Sequence, residues 1–389
     1  MNIKKRLIRF VTFRILLPNA YKSAVKKTNI IKNKCLFVEV SAERLTDNFA
    51  LLYKACEKKG YALDTAFLKN GKVSSKEYLK NSLELMRKMA DAEFIFVNDA
   101  SNVLNCVNLR NGQRLIQTWH ACGAFKKFGF STREEGWGLS EKELNKYPYY
   151  KNQSLVTVSS PEVIPHYADA MRNDANVIKP LGVSRTDVFI DNNYIEAAKK
   201  EVRALVSAEG IDAGNKKLIL YAPTFRGTSG KAFSQNFDIC MLKCVLSSDC
   251  VLIINEHPFV KKERGLNVPE DCSGFAVNLT GKTDVSKLLC AADALITDYS
   301  SIVFEYSLFE KPVCFFAPDL SDYYDDRGFY YDYASMTPGP VFDKEADVAE
   351  YVKNAFLSFD RSKIHEFKEK FMSACDGKAT ERILLELGL

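Results

Sequence analysis

Four histidines occur in 389 residues, and two of them lie just past short apolar runs: His120 in QTWHACGAFKKFG (117–129) and His257 in VLIINEHPF (251–259). Histidine is the side chain best suited to exchange a proton near neutral pH. One histidine in such a place is more often structural; two, one in each half of the chain, point to catalysis. His166 in PHYADAM and His365 in KIHEFKEK read as helical and partly exposed, and no role falls to them. In the same half of the chain as the second histidine, Pro223, Thr224 and Arg226 follow the run KLILYA, and Asp298, Tyr299, Ser300 and Ser301 follow ALIT. Hydroxyls and a guanidinium are groups that suit phosphate oxygens. Ser300 and Ser301 precede IVFEYSLF and are expected to cap that helix, which is compatible with an anion at its start. Gly123 is followed by Lys126 and Lys127, which read either as phosphate ligands or as solvated charges.

These residues need elements to hold them. Short β-branched runs recur along the chain, each leading through a loop into a helix-like stretch. In the first half they are CLFVEV (35–40), AEFIFV (92–97), RLIQTW (114–119) and LVTVSS (155–160). In the second half they are KLILYA (217–222), VLIIN (251–255), ALIT (294–297) and PVCFF (312–316). Runs without strict alternation suit strands buried on both faces, hence parallel sheets flanked by helices. The expectation is an α/β chain of two Rossmann-like domains, residues 31–190 and 191–389, the second ending in C-terminal helices. Ligands bind outside the carboxyl ends of such strands, where the polar residues above fall.

The composition, 47% hydrophobic, allows a large core. The net charge of +5 is unevenly spread: eight bases precede residue 28 and no acidic residue precedes Glu39, so the rest of the chain would carry −3. That opening, residues 1–30, mixes Lys4, Lys5, Arg6, Arg9 and Arg14 with Leu7, Ile8, Phe10, Val11 and Phe13. It is too short and too charged to span a bilayer and lacks a signal cleavage pattern. It reads as a basic amphipathic segment docking on an anionic membrane surface, or as an ordinary first helix covering the domain. Eleven cysteines scattered singly, many within apolar runs, read as reduced thiols, which makes the cytosolic side the expected compartment. Cys240 and Cys244 lack a second pair or a nearby histidine, so a zinc site is not expected. Neither a Gly-x-Gly-x-x-Gly nor a full Gly-x-x-x-x-Gly-Lys-Ser/Thr loop occurs, which speaks against dinucleotide oxidoreductases and P-loop enzymes. The acidic aromatic run APDLSDYYDDRGFYYDY (317–333) reads as a loop lining an acceptor channel or, less well, as a place for Mg2+.

Together the segments QTWHACGAFKKFG, GVSRTDVF (182–189), YAPTFRG (221–227), NEHPF (255–259), ITDYSSIVFEYSLFEKP (296–312), DYYDDRGFYYDY (322–333) and DGKATERI (376–383) resemble the CDP-glycerol glycerophosphotransferase family, the teichoic acid primases and polymerases. They stand in the family's order over about residues 30 to 385. The resemblance implies a GT-B fold, two facing Rossmann-like domains with the active site in the cleft between them. It also implies transfer of glycerol phosphate from CDP-glycerol, or of ribitol phosphate from CDP-ribitol, to a hydroxyl of a lipid-linked glycan acceptor, with release of CMP. His120 and His257 match the family's two essential histidines. Trp119, Gly123, Arg185, Pro223, Thr224, Arg226, Glu256, Asp298, Ser300, Ser301 and Glu305 fall on segments that line the substrate site. Glu305 stands where many members carry Asp, and Ala121 where many carry Gly. No cofactor is implied as required and no nucleic acid as a partner; the expected place is the cytoplasmic face of the membrane, peripherally held. The absence of an additional N-terminal domain leans toward a primase.

Three other functions fit less well. A nucleotide-sugar glycosyltransferase of the same fold would act at an anomeric carbon. A hydrolase of CDP-alditols would release alditol phosphate without an acceptor. A binding protein without chemistry would have no need of both histidines and the Ser300–Ser301 pair.

Overall fold

The computed structural model describes residues 3–132, 140–227, 232–246, 249–321 and 328–389. The chain divides into two compact units, residues 1–187 with 374–389, and residues 188–373.

The first unit holds a parallel sheet of six strands: β1 (Ile31–Glu39), β2 (Leu63–Phe67), β3 (Ala92–Val97), β4 (Arg114–Gln117), β5 (Gln153–Thr157) and β6 (Ile178–Lys179). Their spatial order is β2-β1-β3-β4-β5-β6. Side chains of a strand alternate between faces, and here both faces are buried. Leu36, Val38, Ile95 and Val97 pack with Leu85, Met86 and Met89 of the helix Ser75–Met89. Cys35, Phe37, Phe94 and Phe96 pack on the opposite side with Phe49 and Leu52 of the helix Asp47–Lys58.

The second unit repeats the plan with β7 (Lys217–Ala222), β8 (Cys250–Ile254), β9 (Ala276–Asn278), β10 (Ala294–Thr297), β11 (Val313–Phe316) and β12 (Val341–Phe342), all parallel, in the order β12-β11-β10-β7-β8-β9. Ile219, Tyr221, Leu252, Ile254, Ile296 and Phe316 bury one face against Leu242 and Leu246 of the helix Ile239–Leu246 and Val348 and Val352 of the helix Glu345–Leu357.

The C-terminal helices do not stay together as expected. The helix Ser362–Met372 belongs to the second unit, whereas the last helix, Ala379–Leu387, belongs to the first. Its Ile383, Leu384 and Leu387 join the cluster around Phe37 and Phe49. Asp187 accepts hydrogen bonds from the amides of Ala379 (2.9 Å) and Thr380 (2.8 Å) at the start of this helix, the favoured end for a carboxylate. Gly182 sits at φ +86° where a Cβ would lie 2.2 Å from the Ala374 carbonyl oxygen, so only glycine lets the returning chain come this close.

The opening segment is helical over Ile3–Val11 and Leu17–Val25, joined by one wide π turn at Thr12–Leu16. The wide turn shifts the register, which explains how Arg14 is accommodated among apolar neighbours: its guanidinium donates to the Lys146 carbonyl (2.6 Å). Leu17 and Tyr21 beyond the turn are buried in the first unit, while Ile3, Leu7 and Ile8 before it are exposed, Ile3 to 82%.

Candidate active site

In both sheets the strand order reverses once, between β1 and β3 in the first and between β7 and β10 in the second. Outside the carboxyl ends at such a reversal the flanking loops part and leave room for a ligand. The candidate residues gather at these two places.

In the first unit, β1 ends in Glu39, which is 1% exposed. Its carboxylate accepts from the Thr46 amide and hydroxyl (2.7 Å each) and from the Asn98 side-chain amide (2.7 Å). Asn98, just past β3, offers its carbonyl to His120 Nδ1 at 3.1 Å. A carbonyl can only accept, so Nδ1 carries the proton and the Nε2 lone pair of neutral His120 is left for a substrate proton. Asp99 Oδ1 lies 3.6 Å from the same Nδ1. Trp119 adopts φ +56°, a left-handed conformation uncommon for a large residue, and its amide donates to Gln117 Oε1 (3.0 Å). Its indole stacks on His120 (4.6 Å) and on Phe128 (4.8 Å), so the strained turn presses the imidazole between ring and carbonyl. Gly123, also left-handed at φ +64°, donates its amide to Ser159 Oγ (2.9 Å). Arg185 lies in the same unit: it donates to Asn48 Oδ1 (2.7 Å) and reaches Cys122 Sγ (3.7 Å), two residues beyond the histidine. Lys126 and Lys127 are half-buried on this loop.

In the second unit, His257 follows β8. Its Nδ1 accepts from the Phe259 amide (3.2 Å). An amide can only donate, so the proton of neutral His257 sits on Nε2. Phe225 and Phe259 flank the ring at 4.7 Å each. Glu256 is buried, with its oxygens accepting from Ser234 Oγ, the Leu266 amide (2.9 Å) and Asn278 Nδ2 (3.0 Å). It was expected to line the substrate site; here its carboxylate holds the loop that carries His257. A Cβ on Gly265 would lie 2.5 Å from its Oε2, so a side chain there would have to push the carboxylate out of these hydrogen bonds.

Arg226 departs furthest from the expected phosphate ligand. The side chain is 8% exposed and bidentate to Asp319, Nε to Oδ2 at 2.6 Å and Nη2 to Oδ1 at 3.0 Å. Its Nη1 donates to Asp298 Oδ2 and Thr224 Oγ1 (2.9 Å each). Asp298 also accepts from the Thr224 amide (2.8 Å) and hydroxyl (2.9 Å). Tyr299 donates to Asp319 (2.9 Å) under the guanidinium. Burial alone would raise the Asp319 carboxyl, but the Arg226 charge and hydrogen bonds outweigh it and hold that carboxyl below its ordinary range. Burial and the neighbouring Asp319 push the Tyr299 phenol up. Thr224, Arg226 and Asp298 therefore form a lock joining the ends of β7 and β10, with Asp319 beyond β11 as a member that sequence reasoning did not single out. Pro223 is buried beside it.

Ser300 and Ser301 are half-exposed past this lock. Ser300 Oγ accepts from the Ile302 amide (3.4 Å), while Ser301, the residue at the cap of the helix Ile302–Ser307, makes no side-chain capping bond. Capping thus falls to Ser300 alone. Glu305 is buried within that helix. The acidic aromatic run includes residues 322–327, which lie outside the described residues, and Asp319 within it is engaged by Arg226. Among the described residues no three His, Cys, Asp or Glu side chains converge as a cation site, and Asp298 and Asp319, saturated by Arg226, do not fit one. Cys240 lies 2.9 Å from Cys272, sulfur to sulfur.

Comparison with known proteins gives the family. The sequence model of the CDP-Glycerol:Poly(glycerophosphate) glycerophosphotransferase family matches residues 20–387. A teichoic acid ribitol-phosphate primase from Bacillus spizizenii is 31% identical over 94% of this chain and 93% of its own. A teichoic acid ribitol-phosphate polymerase from Staphylococcus aureus is 33% identical over 91% of this chain and 62% of its own. A teichoic acid glycerol-phosphate primase from Bacillus subtilis is 29% identical over 78% of this chain and 76% of its own. Among solved structures, the wall teichoic acid polymerase TagF superimposes with a TM-score of 0.77 at 24% identity, over 99% of this chain and 96% of that one. The paired doubly wound units are those of the GT-B class. The chain belongs to the CDP-glycerol:poly(glycerophosphate) glycerophosphotransferase family, whose members transfer an alditol phosphate in teichoic acid biosynthesis.

Proposed function

We propose that this enzyme moves an alditol phosphate from a CDP-alditol to an acceptor hydroxyl, with His120 as general base and His257 as a hydrogen-bond donor to the phosphates. The observation that carries this is the opposite polarity of the backbone groups facing Nδ1, the Asn98 carbonyl at His120 and the Phe259 amide at His257, from which opposite tautomers follow. The acceptor oxygen attacks the β-phosphorus, its proton passes to His120 Nε2, and the bond from that phosphorus to the bridging oxygen breaks, so CMP leaves. The Nε2–H of His257, with the Ser300 and Ser301 hydroxyls of the same unit, suits the charge that builds on phosphate oxygens. Arg226 acts at one remove, by fixing the loop that follows β7.

Ribitol is the alditol favoured by resemblance. Relatives named for ribitol phosphate align at 31% and 33% identity over 94% and 91% of the chain, against 29% over 78% for a glycerol-phosphate primase. Nucleotide release, CMP from CDP-ribitol or CDP-glycerol and the nucleoside diphosphate from a nucleotide sugar, each measured with a lipid-linked disaccharide acceptor, decides this. Faster release from CDP-ribitol is expected; release from the nucleotide sugar alone would overturn the phosphotransferase reading.

A lipid-linked acceptor fits the opening helix. Ile3, Leu7, Ile8 and Phe10 are exposed beside Lys4, Lys5 and Arg6, the composition of a segment that lies on anionic lipid. No described helix is long and apolar enough to cross a membrane. Leu7→Glu with Ile8→Glu is expected to abolish co-sedimentation with anionic vesicles while activity on a soluble acceptor persists; unchanged sedimentation would dismiss the docking role.

A further inference from the structure

We propose that Asp99 is a positioning residue for His120, acting on the imidazolium that forms when the ring takes the acceptor proton. The inference rests on His120 being the base. Asp99 Oδ1 lies 3.6 Å from His120 Nδ1, the nitrogen that already donates to the Asn98 carbonyl at 3.1 Å. A proton arriving at Nε2 makes the ring cationic, and a carboxylate at this distance stabilises the cation without displacing the ring from its carbonyl.

The carboxylate is held in place rather than merely near. Its Oδ1 accepts from the Ala100 amide (2.7 Å), and the Asp99 carbonyl accepts from Gln117 Nε2 (3.2 Å). The same Gln117 accepts the Trp119 amide through Oε1 (3.0 Å), so one side chain fixes both the Asp99 turn and the strained turn that carries His120. Glu39 braces the opposite side by holding the Asn98 amide (2.7 Å). Among the described residues, the charged groups on the elements packed about this loop include Asp99 on the β3 side, Glu39 behind Asn98 on the β1 side, Arg185, which touches Cys122, and Lys126 and Lys127 further along the loop. Asp99 is the carboxylate that reaches the ring itself. Its side chain is 33% exposed and that of His120 46%, so the effect is screened and smaller than in a buried pair.

The test compares Asp99→Asn, Asp99→Glu, His120→Ala and the double variant Asp99→Asn/His120→Ala by CMP release, with thermal unfolding of each. Asp99→Asn is expected to lower kcat about tenfold with KM nearly unchanged, and Asp99→Glu to recover most of the loss. In the His120→Ala background Asp99→Asn should cost nothing more, because its effect passes through the missing ring. An undiminished loss in that background, or a loss that tracks the unfolding temperature without rescue by Glu, would reduce Asp99 to a turn residue. Wild-type turnover by His120→Ala would instead remove the base reading itself, so the two failures are told apart.

Discussion

The two histidine loops have the same topological address and opposite construction. Each follows a strand adjacent to the reversal of its sheet, β4 beside β3 in one unit and β8 beside β7 in the other. In the first, Nδ1 donates to a carbonyl, a carboxylate stands close by, and a strained tryptophan covers the ring. In the second, Nδ1 accepts from an amide, two phenylalanines flank the ring, and the neighbouring glutamate is turned away into its own loop. A ring set to receive a proton and a ring set to offer one are built from a single residue type by the partner of one nitrogen. Residue identity locates the histidines; the backbone group facing Nδ1 differentiates them.

The largest effect should separate the loops directly. His120→Ala is expected to lower kcat by roughly 10²–10⁴-fold, the usual contribution of a positioned base, and His257→Ala by roughly 10²–10³-fold, the usual contribution of a donor to developing charge. Glutamine sharpens the comparison, since its amide can donate a hydrogen bond but cannot serve as a base. His257→Gln should regain part of the lost rate and His120→Gln none; equal recovery at both sites would erase the distinction.

Next in size is the Arg226 lock. Arg226→Ala leaves Asp298 and Asp319 facing each other without their shared cation, and removal of one partner of a buried pair costs about 3–5 kcal/mol. Urea unfolding is expected to show such a loss, with nothing comparable for Arg172→Ala, whose ion pair with Glu141 is exposed. Similar losses for both would mean the two arginines do the same work.

The smallest effect is pH dependence. The Asp319 carboxyl is held below its ordinary range in the folded chain, so its contribution to stability is complete above the unfolded carboxylate value and disappears as pH falls through the folded one. Unfolding midpoints taken from neutral to acidic pH should fall less steeply in Asp319→Asn than in the parent. Parallel curves would show that the carboxylate contributes nothing to acid sensitivity.

The sequence was informative in the middle of each sheet and silent at its margins. All eight inner strands stand out as apolar runs, from CLFVEV at β1 to PVCFF at β11. The four strands that went unread, β2, β6, β9 and β12, are the outermost strands of the two sheets. An outermost strand has one paired neighbour, is two to five residues long here, and needs less apolar character, as in LDTAF of β2. The same distinction runs through the site. Both histidines were legible because a polar residue just past an apolar run marks a strand end. The fate of Arg226 was not, because Asp319 lies 93 positions further along the chain. Glu39 left a signal that went unused: a carboxylate closing the apolar run CLFVEV requires a buried partner. The placement of the last helix on the first unit had no local mark, since the apolar face of ATERILLEL fits either sheet.

The central claim, opposite proton placement in two otherwise similar loops, is open to direct measurement by nitrogen NMR of protein labelled only in its histidine rings. With four histidines in the chain, loss of one signal in each of His120→Gln and His257→Gln assigns the pair. Above the pH where the rings are neutral, His120 should show its proton on Nδ1 and His257 on Nε2. The same tautomer at both positions would contradict the account.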